Sequence, residues 1–338
     1  FLNLLYNNIT ICMYKIATGL LDYFYMSLEN KLKSSILGLA VGDALGVPYE
    51  FISRDIIKKN PCKDMIGNGT HNKKAGTWSD DTSLTLCLLD NLNNKDISYN
   101  NIMNSFMLWY DNGEYTADGH TFDVGITTRE AISNYKNGKN PIKCGLYDEY
   151  SNGNGSLMRI LPISFYIKKY FDCELFENNE VINIIYNVSS LTHSHKRSLI
   201  ACVIYTAIAL NLINDINIEE AISKGLKDSY NYYKNEKELD YYKRIFDSDF
   251  KKLHEKEIKS SGYVVHTLET SIWILLNTSN YKDAVLKAVN LGDDTDTTAA
   301  VTGGLAGLYY CIDNIPDKWI DTLINKELIM NICSKFFE

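Results

Sequence analysis

Apolar residues return at helical spacing along most of the chain. Leu32, Ile36, Leu39 and Ala40 form one such set, Leu84, Leu88 and Leu89 a second, and Ile182 and Ile185 a third. Ile200 to Leu210, then Leu268, Ile272, Leu275 and Leu276, and finally Ala299 to Tyr309 continue the pattern. A period near 3.6 predicts amphipathic helices, so the fold class expected is all-α. Strand signals are rare; the best, Ser261 to Val265, runs straight into helical spacing and allows a minor hairpin at most. The apolar run Leu199 to Ile213 is short for a membrane span and reads as a buried helix. Lys224 to Lys259, dense in Tyr, Lys and Glu, reads as a solvated helical face or surface insertion and is assigned no chemistry.

Composition narrows the class. Of 338 residues 45% are hydrophobic and 22% charged, the balance of a globular chain with a large core. Gly 20 and Pro 5 are few, and no linker-like stretch interrupts the pattern, so one domain is expected over 26–338. Ser27 is the predicted N-cap of its first helix. Residues 1–25 are set apart as an N-terminal extension whose status the sequence leaves open. Their apolar stretch is broken by Asn7, Asn8, Lys15 and Asp22, a poor signal peptide and a poor membrane span. The net charge of −8 with scattered Lys and Arg argues against tracking nucleic acid. Eight cysteines, never as C-x-x-C, suggest free thiols in a reducing cytoplasm rather than a zinc cluster or disulfide framework. A cytoplasmic monomer without membrane attachment is the expectation.

Two acidic segments stand out: Thr77-Trp78-Ser79-Asp80-Asp81-Thr82 and Gly292-Asp293-Asp294-Thr295-Asp296-Thr297-Thr298, each followed at once by a helical run. Capping explains part of this, since Ser79 is a good N-cap and acidic residues favour the positive end of a helix dipole. Capping needs one hydroxyl and one carboxylate, whereas five aspartates are present. If the two turns face each other, cations must relieve their repulsion, and an all-oxygen ligand set selects hard ions such as Mg²⁺ or Mn²⁺. A pair of metals about 3.5–4 Å apart is what such a set can bridge.

Six blocks, in order, then carry a family resemblance: Gly38 to Phe51 (GLAVGDALGVPYEF), Gly76 to Leu88 (GTWSDDTSLTLCL), Phe122 to Glu130 (FDVGITTRE), Gly153 to Pro162 (GNGSLMRILP), Thr192 to His195 (THSH) and Asn290 to Gly307 (NLGDDTDTTAAVTGGLAG). Together they resemble the ADP-ribosylglycohydrolases. The resemblance implies a single-domain, orthogonal, all-helical bundle around a dinuclear Mg²⁺ site, with Mn²⁺ as the alternative ion. Ser79, Asp80, Asp81, Asp294, Asp296 and Thr297 are the implied ligands, Ser79 replacing a threonine common in the family. Asp293 and Thr295 are read as neighbours shaping the helix start. Asp43, inside an apolar helix, is read as a structural hydrogen-bonding group.

Glu50 matches a glutamate on a mobile loop near the metals, and Asp123 an aspartate on the acceptor side of the cleaved bond; with Asp80 and Asp294 they are the expected catalytic carboxylates. Ile126 stands where many bacterial members have asparagine, which bears on contacts to a guanidinium acceptor. Gly153, Asn154, Gly155 and Ser156 resemble the loop that approaches ribose and diphosphate, where backbone N–H groups reach anionic oxygens. His193 matches a ligand-contacting histidine; Arg159 is read as a structural ion-pair partner. The implied substrate is an ADP-ribosylated protein or small ADP-ribosyl conjugate, its acceptor unspecified. A non-catalytic ADP-ribose-binding relative is the alternative, and a metal-dependent phosphohydrolase the third reading.

Overall fold

The computed structural model describes residues 26–338, so the extension assigned to 1–25 lies outside them. Ser27 caps the first helix, α1 (Leu28–Gly46), its hydroxyl accepting from Asn30 N–H at 3.2 Å. There follow the short α2 (Arg54–Ile57), α3 (Asp80–Leu89), α4 (Tyr99–Asn112), α5 (Ile126–Lys136), α6 (Leu161–Tyr170) and α7 (Asn179–Ser190). The second half contributes α8 (Lys196–Ile213), α9 (Ile218–Tyr233), α10 (Val264–Leu276), α11 (Tyr281–Asn290), α12 (Thr295–Tyr310), α13 (Asp317–Thr322) and α14 (Lys326–Lys335). Among the described residues β pairing is confined to isolated bridges, so the architecture is all-α. The segment from Ser261 contributes one of them, Gly153 with Tyr263, before entering α10.

The centre of the bundle is the contact between α1 and α12, and it is made by absent side chains. Gly38, Gly42 and Gly46 recur every four residues and so share one face of α1. A Cβ on Gly38 would lie 2.5 Å from Gly303 O and 2.9 Å from Gly307 Cα; one on Gly42 would overlap Ala299 O, and one on Gly46 would overlap the Asp296 backbone. Backbone therefore rests on backbone along several turns. The same contact fixes the start of α12, where Thr295 Oγ1 donates to Gly46 O at 2.8 Å.

Helix α8 has the length and apolarity to cross a membrane, yet nearly all of it is enclosed by its neighbours, as its reading as a core helix required. The Tyr/Lys-rich stretch differs from its expectation. Lys237–Phe246 is a 3-10 run in which Leu239, Tyr242 and Ile245 are buried. Their spacing of three matches three residues per turn, a stripe that a search at period 3.6 overlooks. Tyr242 anchors the run, its hydroxyl donating to Arg197 O at 2.8 Å. The described cysteines are free, five of them buried and Cys173 and Cys311 half-buried, while Cys12 lies outside the described residues.

The tight α1–α12 seam yields a stability prediction. Gly42→Ala gains up to about 1 kcal/mol in helix propensity but forces apart two backbones, an overpacking cost of about 1–3 kcal/mol or more. Urea unfolding should therefore show a net loss of stability; a gain would mean the seam yields freely.

Candidate functional site

The seam brings the two acidic turns together. Asp43, fully buried on α1, accepts hydrogen bonds from Ser79 N–H at 2.9 Å, from Thr82 N–H at 3.1 Å and from Thr82 Oγ1 at 2.6 Å. It thereby clamps the N-terminus of α3 to α1, the structural role read for it. Ser79 is the N-cap of α3, its Oγ accepting from Asp81 N–H at 3.3 Å and lying 3.1 Å from Asp81 Oδ2. From the other turn Thr297 Oγ1 donates to the same Oδ2 at 3.2 Å. Hydroxyls 218 positions apart in sequence thus meet on one carboxylate oxygen.

Asp294, the N-cap of α12, is placed from two sides. Its N–H donates to Ser260 O at 2.9 Å, and Asn154 Nδ2 donates to its Oδ2 at 2.8 Å. Asp293 and the Glu50 loop exchange backbone hydrogen bonds, Phe51 N–H to Asp293 O at 2.7 Å and Asp293 N–H to Ile52 O at 2.9 Å. Asp293, Phe51 and Asp123 all occupy the left-handed region, with φ of 60°, 61° and 52°. Such conformations cost free energy in non-glycine residues and cluster where the surroundings over-determine them.

Burial raises the pKa of Asp43, Asp80, Asp81, Asp123, Asp294 and Asp296. Asp43 is pushed up to about 6, and Asp80, Asp81 and Asp296 go well above the usual range, desolvation first and neighbouring carboxylates second. Asp294 and Asp123 move in the same direction, burial again leading. Three oxygens are buried without any hydrogen-bond partner: Asp81 Oδ1, Asp294 Oδ1 and Asp296 Oδ2. Asp43, Asp81 and Asp296 each place an oxygen within 4.8 Å of the others, as do Glu50, Asp294 and Asp296. Orphaned acceptors with no cationic side chain between them fit a hard cation, because an unpaired buried acceptor is costly and a divalent ion satisfies several at once. The residues present therefore suit the metal that the resemblance implies.

The cleft beside these oxygens measures about 210 Å³ and is lined by Glu50, Asp80, Asp123, Asp294 and Thr297 on the acidic side and by Gly153, Asn154, Gly155 and His193 opposite. Ser156 is not among them; it is fully buried beneath the loop, its hydroxyl 3.6 Å from Cys202 Sγ. Asn154 is a brace more than a contact group, since its amide bridges Thr267 and Asp294 and its N–H meets Gly262 O at 3.0 Å. The Gly153 and Gly155 N–H groups have no acceptor among the described residues. Gly155 packs on His193, where a Cβ would come within 2.8 Å of the imidazole Cε1.

Burial and the nearby Arg159 push the His193 pKa down to about 3, so this histidine is neutral at physiological pH. His195 instead caps α8, accepting from Arg197 N–H at 3.3 Å. Arg159 corrects its sequence reading: it forms no ion pair among the described residues. Its guanidinium donates to Gly155 O and, at 3.2 Å, to Val188 O, and lies over the Phe106 ring. It holds the glycine loop from below by carbonyls, which a sequence does not advertise.

Ile126 is 66% exposed at the mouth of the cleft. Glu50 is only 4% exposed and hydrogen-bonds His71, a residue the sequence reading missed. His71 sits in Thr70-His71-Asn72, outside every recognised block and every apolar period, so only its place in space reveals it. Gly262 was likewise missed; a Cβ there would lie 3.0 Å from Asp294 Oδ2. A larger groove of about 670 Å³ beside α9, lined by Ile222, Leu226, Tyr230 and Phe246 together with Glu219 and Asp247, includes no residue of the two acidic turns.

A model of the ADP-ribosylglycohydrolase family matches residues 25–338. The chain is 33% identical over 311 residues to an ADP-ribosylarginine hydrolase of Serratia proteamaculans, covering 91% of this chain and 79% of that one. It is 29% identical over 302 residues to the ADP-ribosyl-[dinitrogen reductase] glycohydrolase of Rhodospirillum rubrum, 88% of this chain and 91% of the relative. Among solved structures it superposes on an ADP-ribosylglycohydrolase-related protein complex with TM-score 0.74 and 26% identity, over 92% of this chain and 98% of that one.

Glu50 supplies a pH prediction for the cation-free protein. Burial, then Asp123 and Asp294, raise its pKa from 4.5 to about 7 against the opposing hydrogen bond from His71. A carboxyl with a raised native pKa contributes stability below its unfolded pKa and loses that contribution as pH climbs through the native value. In chelator, the melting temperature of the wild type relative to Glu50→Gln should therefore fall between about pH 4.5 and 7. A rise over that interval would contradict the assignment.

Proposed function

The chain belongs to the ADP-ribosylglycohydrolase family of glycosyl hydrolases, and from that premise we propose that it cleaves the bond between the anomeric carbon of ADP-ribose and an arginine side chain of an acceptor. We assign the ligand set of a Mg²⁺ pair to Ser79, Asp80, Asp81, Asp294, Asp296 and Thr297. The observation that carries this reading is the meeting of both acidic turns on Asp81, with three buried carboxylate oxygens left unpaired beside an open cleft. When bound, such ions neutralise the carboxylates, fix sugar hydroxyls and favour ionisation of a nearby water.

The chain's own groups do the rest. Gly153 and Gly155 N–H groups receive the diphosphate, and neutral His193 backs their loop without adding charge. Glycosidic cleavage develops oxocarbenium character at the anomeric carbon; Asp80 and Asp294, which line the cleft, would hold the ions that fix the sugar hydroxyls for it. Glu50, with a pKa near neutrality, is suited to take a proton as water adds to that carbon and to return one to the acceptor nitrogen as the bond breaks. Asp123 and Glu50 give the acceptor side a negative wall, complementary to a guanidinium; the arginine named for the Serratia proteamaculans relative agrees with this. Ile126 adds an apolar contact where an amide would have hydrogen-bonded, so packing rather than a polar clamp orients the acceptor there.

Incubation with ADP-ribosylated arginine and Mg²⁺ should release ADP-ribose, and chelation should stop it. Asp296→Asn or Asp294→Asn should lower kcat by about 100-fold or more, beyond what loss of an outer partner costs. A serine-linked substrate run in parallel tests the acceptor. Tight ADP-ribose binding, seen as a rise in melting temperature, without turnover of either substrate would favour the non-catalytic alternative.

A further inference from the structure

We propose that His71 is a positioning residue for this hydrolase, holding the Glu50 carboxylate on the acceptor side of the cleft; the inference rests on the hydrolase reading above. Glu50 sits where three other carboxylates, Asp123, Asp294 and Asp296, surround it. Left to that field, an ionised Glu50 would turn toward solvent. His71 Nε2 meets Glu50 Oε2, and this is the one ion-pair contact of Glu50 among the described residues.

The arrangement is built from backbone upward. The segment 67–73 folds back on itself, Asn68 N–H donating to Lys73 O at 2.6 Å, with Asn68, Gly69 and Asn72 in the left-handed region. At Gly69 a Cβ would overlap Pro48 O, so the loop lies flat on the turn that precedes Glu50. Thr70 fastens it twice, N–H to Pro48 O at 3.2 Å and Oγ1 to Glu50 O at 2.6 Å.

The imidazole itself is gripped by two aromatic rings, Phe122 at 5.1 Å and Phe51 at 6.2 Å between centroids. Phe122 is the neighbour of Asp123, and its ring carries the Lys73 ammonium at 4.5 Å. Phe51, left-handed and 69% exposed, follows Glu50 directly. Thus His71 ties together the two segments that bear the acceptor-side carboxylates, and Glu50, His71 and Asp123 each place an atom within 4.8 Å of the others. Burial of the Glu50 side chain makes this donor consequential, because an unpaired buried carboxylate is expensive.

Steady-state kinetics on ADP-ribosylated arginine test the role, with His71→Phe keeping a ring but no donor and His71→Gln keeping an N–H donor but no ring. His71→Phe should lose about 10- to 100-fold in kcat, the range seen when partners that orient functional ligands are removed, with KM changed less than about threefold. His71→Gln should recover most of that loss. In a Glu50→Gln background His71→Phe should add less than about a twofold further loss, because a residue acting through another has nothing left to position. If the phenylalanine variant fails to fold, His71→Ala with added imidazole replaces it, and restored turnover is the expected result. Multiplicative losses in the Glu50→Gln background, equal losses for Phe and Gln, or an unimpaired His71→Phe would overturn the proposal while leaving the hydrolase reading intact. A wild type that releases no ADP-ribose would overturn both.

Discussion

Backbone-to-backbone packing of α1 on α12 is the constraint from which the site follows. Because Gly38, Gly42 and Gly46 present no side chains, α12 approaches until the Asp296 backbone lies against Gly46 and Thr295 hydrogen-bonds its carbonyl. Asp43, one residue from Gly42 on the same helix, simultaneously anchors the start of α3. Two helix N-termini from opposite ends of the sequence are thereby driven to one point. Each brings carboxylates that its own dipole would welcome singly. Together they repel, and burial denies them water.

That conflict decides the chemistry. Raised pKa values at Asp81 and Asp296 follow from it, and a hard cation at the orphaned oxygens would relieve it at neutral pH. A chain of net charge −8 can then accept an anionic ligand. The opposite wall is arranged to match: unpaired glycine N–H groups, a histidine kept neutral, and a buried guanidinium that grips the loop through its carbonyl.

Much of the fold was legible because helical periodicity is a property of neighbouring residues. Ser27 and Ser79 cap the helices that their positions announced, and the apolar run around Ile204 is the core helix its length suggested. The acidic turns were legible as an excess of aspartates over what capping needs, though their convergence came only through resemblance. What escaped depends on distant contacts or on an unusual period. Arg159 bonds carbonyls from two separate segments, Ser156 turns inward under its own loop, and His71 reaches Glu50 across a turn with no motif to mark it. Leu239, Tyr242 and Ile245 hide a buried face at spacing three inside a stretch whose composition reads as surface.

The central claim is that Asp81, Asp294 and Asp296 close around hard cations at the meeting of α3 and α12. Anomalous scattering from crystals grown with Mn²⁺ tests it without reference to any substrate. Peaks within coordination distance of those three carboxylates are expected, and their loss in Asp296→Asn. Crystals with Mn²⁺ bound elsewhere, or with these carboxylates bare at saturating Mn²⁺, would contradict it.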